Sequence, residues 1–248
     1  MKRNTESFKE EFDNLNKFLS YDKNLSFLNH GYSPISDSIK SSDILLKNSA
    51  MMYDKTTEGI ENCFSKSLLE IGCGRGGGLN YIKTKYPNLS ISGCDISPLN
   101  IDHSIFCDDS KSINYSIGNS MDLPYEDSSF DYLLNVESSH CYDDLDKFYS
   151  ECARVIKPNG TFFYSDLVWN VEMLNDNFVI LKKYFNIDSF TDVTENVLQS
   201  CVESCNALEP YNDIPEYKYM YTIWLNKQRV YKYENYFIIM KLTPKIKL

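Results

Sequence analysis

The sequence predicts an α/β protein built on an open, doubly wound parallel sheet. Three observations predict it. Between residues 67 and 165, short apolar runs alternate with stretches of helical periodicity across short connections, the pattern of βαβ units whose sheet is covered on both faces. Eight of the ten glycines fall between residues 72 and 160, where such a chain turns between strand and helix. A length of 248 residues, 42% hydrophobic and 24% charged, fits one globular domain with attachments rather than a disordered or fibrous chain.

Residues 5–20 place Phe8, Phe12, Leu15 and Leu19 at spacings of four, three and four, which predicts an amphipathic helix whose apolar face needs a cover. After the turn signal His30-Gly31-Tyr32-Ser33-Pro34, a second helix is expected over about 43–62 and a first strand over 67–71. The alternation then gives a helix at 79–85, a strand at 89–95, a helix at 101–108 and strands at 113–117 and 130–136. A helix at 145–155 and a strand at 161–165 follow. The last third opens helically and passes a strand at 185–190 and a helix at 194–208. A tyrosine-dense segment from Tyr211 to Tyr236 leads into a closing strand at 236–240.

The net charge of -10 argues against a nucleic-acid partner, because phosphate binding needs clustered Lys and Arg. No apolar leader follows the N-terminal Met1-Lys2-Arg3, and no run of apolar residues is long enough to span a bilayer, so a soluble, cytoplasmic protein is expected. Eight cysteines without a CxxC pair read as buried reduced thiols rather than a disulfide framework. Cys201 and Cys205 share a helical face, but two thiols alone make a poor metal site, and no metal is expected.

Five glycines sit in "EIGCGRGGG", residues 70–78, between the first strand and the next helix. Glycine there lets the backbone turn and lets a ligand approach the amides. Gly72, Gly74 and Gly77 match GxGxxG, and Asp95 ends the next strand, where an acid holds ribose hydroxyls. Taken alone this is also a dinucleotide fingerprint, so a nicotinamide oxidoreductase, or a cofactor-binding protein without catalysis, stays open. Three features tilt the choice towards S-adenosylmethionine. Glu70 is an acid where dinucleotide folds usually keep an apolar residue. "GNSMDLPYEDSSFDYLLN" (118–135) then supplies a turn and a strand, and "RVIKPNGTFFYSD" (154–166) a helix end, a Pro and Gly turn and a further strand.

In this order the blocks resemble the class I S-adenosylmethionine-dependent methyltransferases over about residues 65–170. The resemblance implies a Rossmann-like seven-stranded sheet, mostly parallel with an antiparallel last strand. It also implies a helical cap over 1–64 and a core over 65–248 that carries a helical substrate-side insertion at about 194–232. "FLNHGYSP", "EIGCGRGGGLNYI", "NVESSHCY" and the tyrosine-rich C-terminus further resemble the phthiotriolone and phenolphthiotriolone dimycocerosate O-methyltransferases, over roughly 27–240. Such relatives methylate hydroxyls on lipid or polyketide products.

Carried over by position, Glu70, Gly72, Cys73 and Gly74 meet the methionine part of S-adenosylmethionine, Asp95 the ribose and Ile96 the adenine. Asn119 and Ser120 stand where the family has Asp and a small residue, and Asn still accepts a hydrogen bond from the adenine amino group. Asn135 counts among the cofactor contacts. Asn159 replaces the first glycine of a Pro-Gly-Gly turn, a change that Asn's tolerance of the left-handed region allows.

"NVESSHCY", residues 135–142, ends the fourth strand beside the methyl donor in such a fold. Its Glu-Ser-x-His turn is similar to that of the rebeccamycin-type sugar O-methyltransferases, which implies His140 as general base and Asp166 as the acid that orients it. Glu137 is expected either to hold a cofactor group or substrate hydroxyl or to serve as a structural acid. Tyr32 is expected over the sulfonium or as an anchor of an N-terminal lid. Cys141 reads as a packed thiol, and His30 and His103 as surface residues. The acceptor is expected to be a hydroxyl of a lipid, polyketide, sugar or other natural product, with C- or N-methylation as the alternative. The helix at 5–20 is either a lid or a homodimer contact.

Overall fold

The computed structural model describes residues 5–19, 25–34, 44–61, 64–211, 213–216, 218 and 235–245. Helices α1 (Thr5–Leu19) and α2 (Ile44–Thr56) precede β1 (Ser67–Ile71), α3 (Gly77–Lys85), β2 (Ser90–Asp95), α4 (Pro98–Cys107) and β3 (Ile113–Ile117). Next come β4 (Phe130–Val136), α5 (Leu145–Val155), β5 (Ile156–Val168), α6 (Val171–Leu181), β6 (Phe185–Asp192), α7 (Thr194–Leu208) and β7 (Tyr236–Pro244). Local chemistry explains several starts. Ser97 caps α4, its side chain accepting from the Asn100 amide, with Pro98 in the first turn. Asp144 caps α5 by accepting from the Asp146 and Lys147 amides, and Asn170 caps α6 through the Met173 amide.

The seven strands lie in the order β3-β2-β1-β4-β5-β7-β6. Every pair from β3 to β5 is parallel, and β7 runs antiparallel to both β5 and β6. The chain moves outward from β1 to β3, then crosses back to lay β4 on the other side of β1. The carboxyl ends of β1 and β4 therefore flank the switch point where open α/β sheets bind ligands.

Alternate residues of the central strands enter opposite cores. Leu68, Tyr132, Leu134 and Phe163 pack with Met52 of α2 and Val197 and Cys201 of α7. Leu69, Leu133, Phe162 and Tyr164 pack with Phe148, Tyr149 and Cys152 of α5. Phe148 is fully buried, with Tyr142, Tyr149 and Phe162 rings around it. Phe148→Ala is expected to cost about 3–5 kcal/mol of folding stability, read as a lower denaturant midpoint; a loss under about 1 kcal/mol would contradict this packing.

The expected elements form, with three differences. The second helix stops at Thr56 rather than near 62, and Gly59 turns the chain at φ 98°. The fifth strand is not confined to 161–165. It begins at Ile156, and the Pro158-Asn159-Gly160 segment is a bulge: β5 advances from Ile156 to Thr161 while β4 advances only from Phe130 to Tyr132. Asn159 consequently stays at negative φ, and no left-handed turn is used there. Finally, α7, where the substrate-side insertion was expected to begin, packs Val197 and Cys201 into the core. Most of the tyrosine-dense segment after Tyr211, and with it the end of the expected insertion from residue 219 on, lies outside the described residues.

Candidate active site

The loop after β1 forms the floor of a cavity of about 350 Å³ at the switch point. Gly72, Gly74 and Gly76 all adopt left-handed φ, at 74°, 53° and 82°, a region that side chains disfavour. A Cβ on Gly72 would lie 1.9 Å from the Ser138 Oγ. The Gly72 and Cys73 amides donate to the Cys94 carbonyl at 2.8 and 3.1 Å, which folds the loop back onto β2. Asp95, at the end of β2, then ties the loop to the next helix. Its Oδ2 accepts from the Gly74 amide at 2.9 Å, and its Oδ1 accepts from the Ser97 amide and the Asn100 side chain.

Glu70 lies one layer deeper, fully buried and outside the cavity lining. Tyr53, which does line the cavity, donates to Glu70 Oε1 at 2.7 Å, while Oε2 has no hydrogen-bond partner among the described residues. Burial, against the Tyr53 hydrogen bond and with the help of the Asp95 charge, pushes this carboxyl up to about 8. At neutral pH it is mostly protonated, and a cation placed beside it would be needed to ionise it.

The end of β4 supplies the reactive part of the site. A short helical turn, Ser139–Cys141, follows β4 and turns the His140 ring into the cavity. Its Nδ1 lies 2.7 Å from Asp166 Oδ1 on the neighbouring β5, and its backbone amide donates to Asp166 Oδ2 at 3.0 Å. Asp166 is buried and also accepts from the Ser139 hydroxyl and, at 2.7 Å, from the Leu167 amide. Burial opposes the charge on Asp166, but His140 and these donors outweigh it and hold the carboxyl below its usual range. Burial likewise opposes the imidazolium, yet the Cys141 sulfur and the Asp166 carboxylate raise His140 to about 10. With Nδ1 committed to Asp166, Nε2 is the ring atom left to act on a ligand.

α1 and residues 26–30 close the cavity from the other side. Phe8, Phe12 and Leu15 of α1 face it together with Phe27 and Leu28. The helix is held at three points along its length. The Thr5 amide donates to Asp143 Oδ1 at 2.7 Å, the Ser97 hydroxyl to Asp13 Oδ1 at 2.5 Å, and the Asn16 side chain to Asn100 Oδ1 at 2.6 Å. Asn16 Oδ1 in turn accepts from the buried Arg75 at 2.5 Å. Two of these partners, Ser97 and Asn100, are the groups that bind Asp95.

Among the residues singled out from sequence, Gly72, Cys73, Gly74, Asp95, Ile96, Ser120, Glu137 and His140 line this one cavity, and Asp166 stands directly behind His140. Others stand elsewhere. Tyr32 packs on the core of α2 and α7, and Phe27 faces the cavity in its place. Asn119 does not line the cavity, and its Oδ1 accepts from the Met121 amide in a tight turn. Asn135 is buried as a brace, donating to the Ile71 carbonyl at 2.9 Å. His30 and His103 are not on the surface: both are buried, His30 against Glu137 and His103 with its Nδ1 3.0 Å from the Arg75 carbonyl. The places of Phe27, Leu28 and Arg75 in the cavity were missed because their contacts span long separations that no local pattern reports. Cys141 is buried and not disulfide-bonded, as are the other six cysteines described.

A family model described as a methyltransferase domain matches residues 69–164. The fatty-acid O-methyltransferase of Mycolicibacterium smegmatis is 38% identical over 151 residues, 58% of this chain and 54% of that protein. A phthiotriol/phenolphthiotriol dimycocerosates methyltransferase of Mycobacterium ulcerans is 34% identical over 146 residues, again 58% and 54%. The chain thus matches about half the length of these relatives. Among solved structures, a [4+2]-cyclase superposes with a TM-score of 0.78 at 17% identity, covering 99% of this chain and 97% of that one. The geranyl diphosphate C-methyltransferase of Streptomyces coelicolor A3(2) gives 0.71 at 15% identity, covering 96% and 98%. At these identities the structural likeness shows the fold. No helix among the described residues is long and apolar enough to cross a membrane.

Proposed function

We propose, from the premise that residues 69–164 are a class I methyltransferase domain, that the protein transfers a methyl group from S-adenosylmethionine to an oxygen of a small apolar molecule. The observation that carries the reading is the His140–Asp166 pair, 2.7 Å apart and opening into the cavity floored by the glycine loop and Asp95.

The residues present suit that cofactor. The left-handed glycines let the loop turn tightly beneath the cavity, Asp95 stands at the loop's edge, and the buried Glu70 offers an unpartnered oxygen near the loop. The bound cofactor supplies an electrophilic methyl on a sulfonium sulfur. His140 takes the acceptor's proton at Nε2, and Asp166 fixes the ring with Nδ1–H as donor and compensates the charge that the ring gains. Phe8, Phe12 and Phe27 give the cavity an apolar wall, which suits a lipid- or polyketide-like acceptor. Such a molecule agrees with the names of the fatty-acid and dimycocerosate relatives.

A carboxyl acceptor is the second reading, favoured by the charge on His140. An imidazolium held to about 10 would anchor a carboxylate, which needs no base.

Thermal stabilisation by S-adenosylmethionine, S-adenosylhomocysteine and NADH, measured in parallel, tests the cofactor. Each adenosyl compound at about 100 times its dissociation constant is expected to add roughly 2.7 kcal/mol. Stabilisation by NADH alone would overturn the reading. Mass spectrometry of products from a panel of fatty acids and alcohols then locates the added 14 mass units (about one CH₂) on oxygen or carbon.

A further inference from the structure

We infer that His30 and Glu137 form a second imidazole–carboxylate pair that reads the acceptor, and that the acceptor therefore carries a second oxygen function besides the one methylated. The inference rests on the methyltransferase reading above.

Glu137 follows the last residue of β4 and lies three positions before His140, so one loop serves both pairs. Both oxygens of Glu137 accept from the His30 amide, at 3.1 and 3.0 Å, and Oε2 also bonds the His30 Nδ1. His30 is fixed from further sides: the Ser200 hydroxyl donates to its carbonyl at 2.8 Å, and the Phe237 ring meets its ring edge to face at 5.2 Å. The side chains of both residues are at most 3% exposed, yet both line the same cavity as His140.

A brace between the N-terminal segment and β4 needs no ionisable groups. Burying an acid and an imidazole together costs desolvation that an apolar contact avoids. Glu137 also holds φ 50°, a left-handed conformation that glycine would adopt without strain. Strained non-glycine backbone next to a cavity, bearing a carboxylate that aligns a ring, is the pattern of a functional position. The surroundings agree: Val136, Leu167 and Trp169 give this part of the lining its apolar walls, against which one aligned imidazole discriminates strongly. A pocket built to hydrogen-bond an oxygen rejects the analogue that lacks it far more steeply than a pocket built on shape. The ligand class is thus an apolar chain with two oxygen functions close together, such as a diol, a hydroxy acid or a hydroxy ketone.

The test compares 1-dodecanol with 1,2-dodecanediol, 1,3-dodecanediol and 3-hydroxydodecanoic acid. Wild-type protein saturated with S-adenosylmethionine is expected to favour at least one dioxygenated compound by about 100-fold in kcat/KM, mostly through KM. In His30→Ala and in the more conservative Glu137→Gln that ratio collapses to within about threefold. A ratio unaltered in both variants, or equal losses on all four compounds, overturns the inference and leaves the pair a structural brace. Binding of the same compounds, followed by Trp169 fluorescence in the presence of S-adenosylhomocysteine, gives a readout without turnover. If nothing is methylated but the dioxygenated compounds bind more tightly than dodecanol to wild-type protein, and not to His30→Ala, the methyl-transfer reading fails while this one stands.

Discussion

His140→Ala is expected to lower turnover by about 100 to 10,000-fold, the usual contribution of a positioned base, while S-adenosylmethionine still stabilises the variant as it does the wild type. The separation follows from the geometry. His140 reaches the cavity from the turn after β4, whereas the glycine loop and Asp95 are held together by bonds that do not involve it. Asp166→Asn is the companion variant. Its amide can still meet Nδ1, but it can present N–H where the ring needs an acceptor, so the tautomer with Nδ1–H is no longer enforced. A loss comparable to that of His140→Ala is expected, with little change in the KM for S-adenosylmethionine. Wild-type turnover in His140→Ala would remove the base and leave His140 a packed ring.

Why the alternating strands and the glycine loop were legible while half of the pocket was not is a matter of range. The alternation from Leu68 to Ser165 is written in neighbouring residues, and the loop's GxGxxG spacing is a local steric demand that the left-handed φ values of Gly72 and Gly74 bear out. The His140–Asp166 pair was reachable because His140 follows β4 and Asp166 lies near the end of β5, and the two strands are adjacent and parallel. His30 meets Glu137 across 107 residues and Arg75 meets Asn16 across 59, and no periodicity in one sequence encodes such pairs. Asn135 differs in the opposite direction. It sits where a ligand contact is expected, but its side chain turns inward, to the Ile71 carbonyl. The bulge at Pro158-Asn159-Gly160 was read as a turn because Pro, Asn and Gly mark both. The fold itself carries no activity: it is shared with a cyclase and with methyltransferases acting on carbon, so the chemistry must be argued from the side chains.

The pH dependence is expected to distinguish the two acceptor classes by its sign. The Cys141 sulfur and Asp166, against the effect of burial, raise His140 to about 10, so at pH 7 the ring is predominantly protonated. A sulfonium brought into the cavity adds positive charge, which opposes the imidazolium and lowers that pKa. For a hydroxyl acceptor, kcat/KM at saturating cofactor should rise about tenfold per pH unit. It should level off at the pKa of His140 in the cofactor complex, which lies below the ligand-free value. His140→Ala should flatten the profile. For a carboxyl acceptor the same charge acts in reverse. The acceptor is already an anion above about pH 5, the imidazolium is its anchor, and the rate should hold steady and then fall as pH passes the His140 pKa, through KM rather than kcat. A rising limb that His140→Ala abolishes therefore assigns a base and a hydroxyl, whereas a falling limb that it abolishes assigns an anchor and a carboxylate. A profile that is the same in the variant and the wild type would show that neither proton is held on His140.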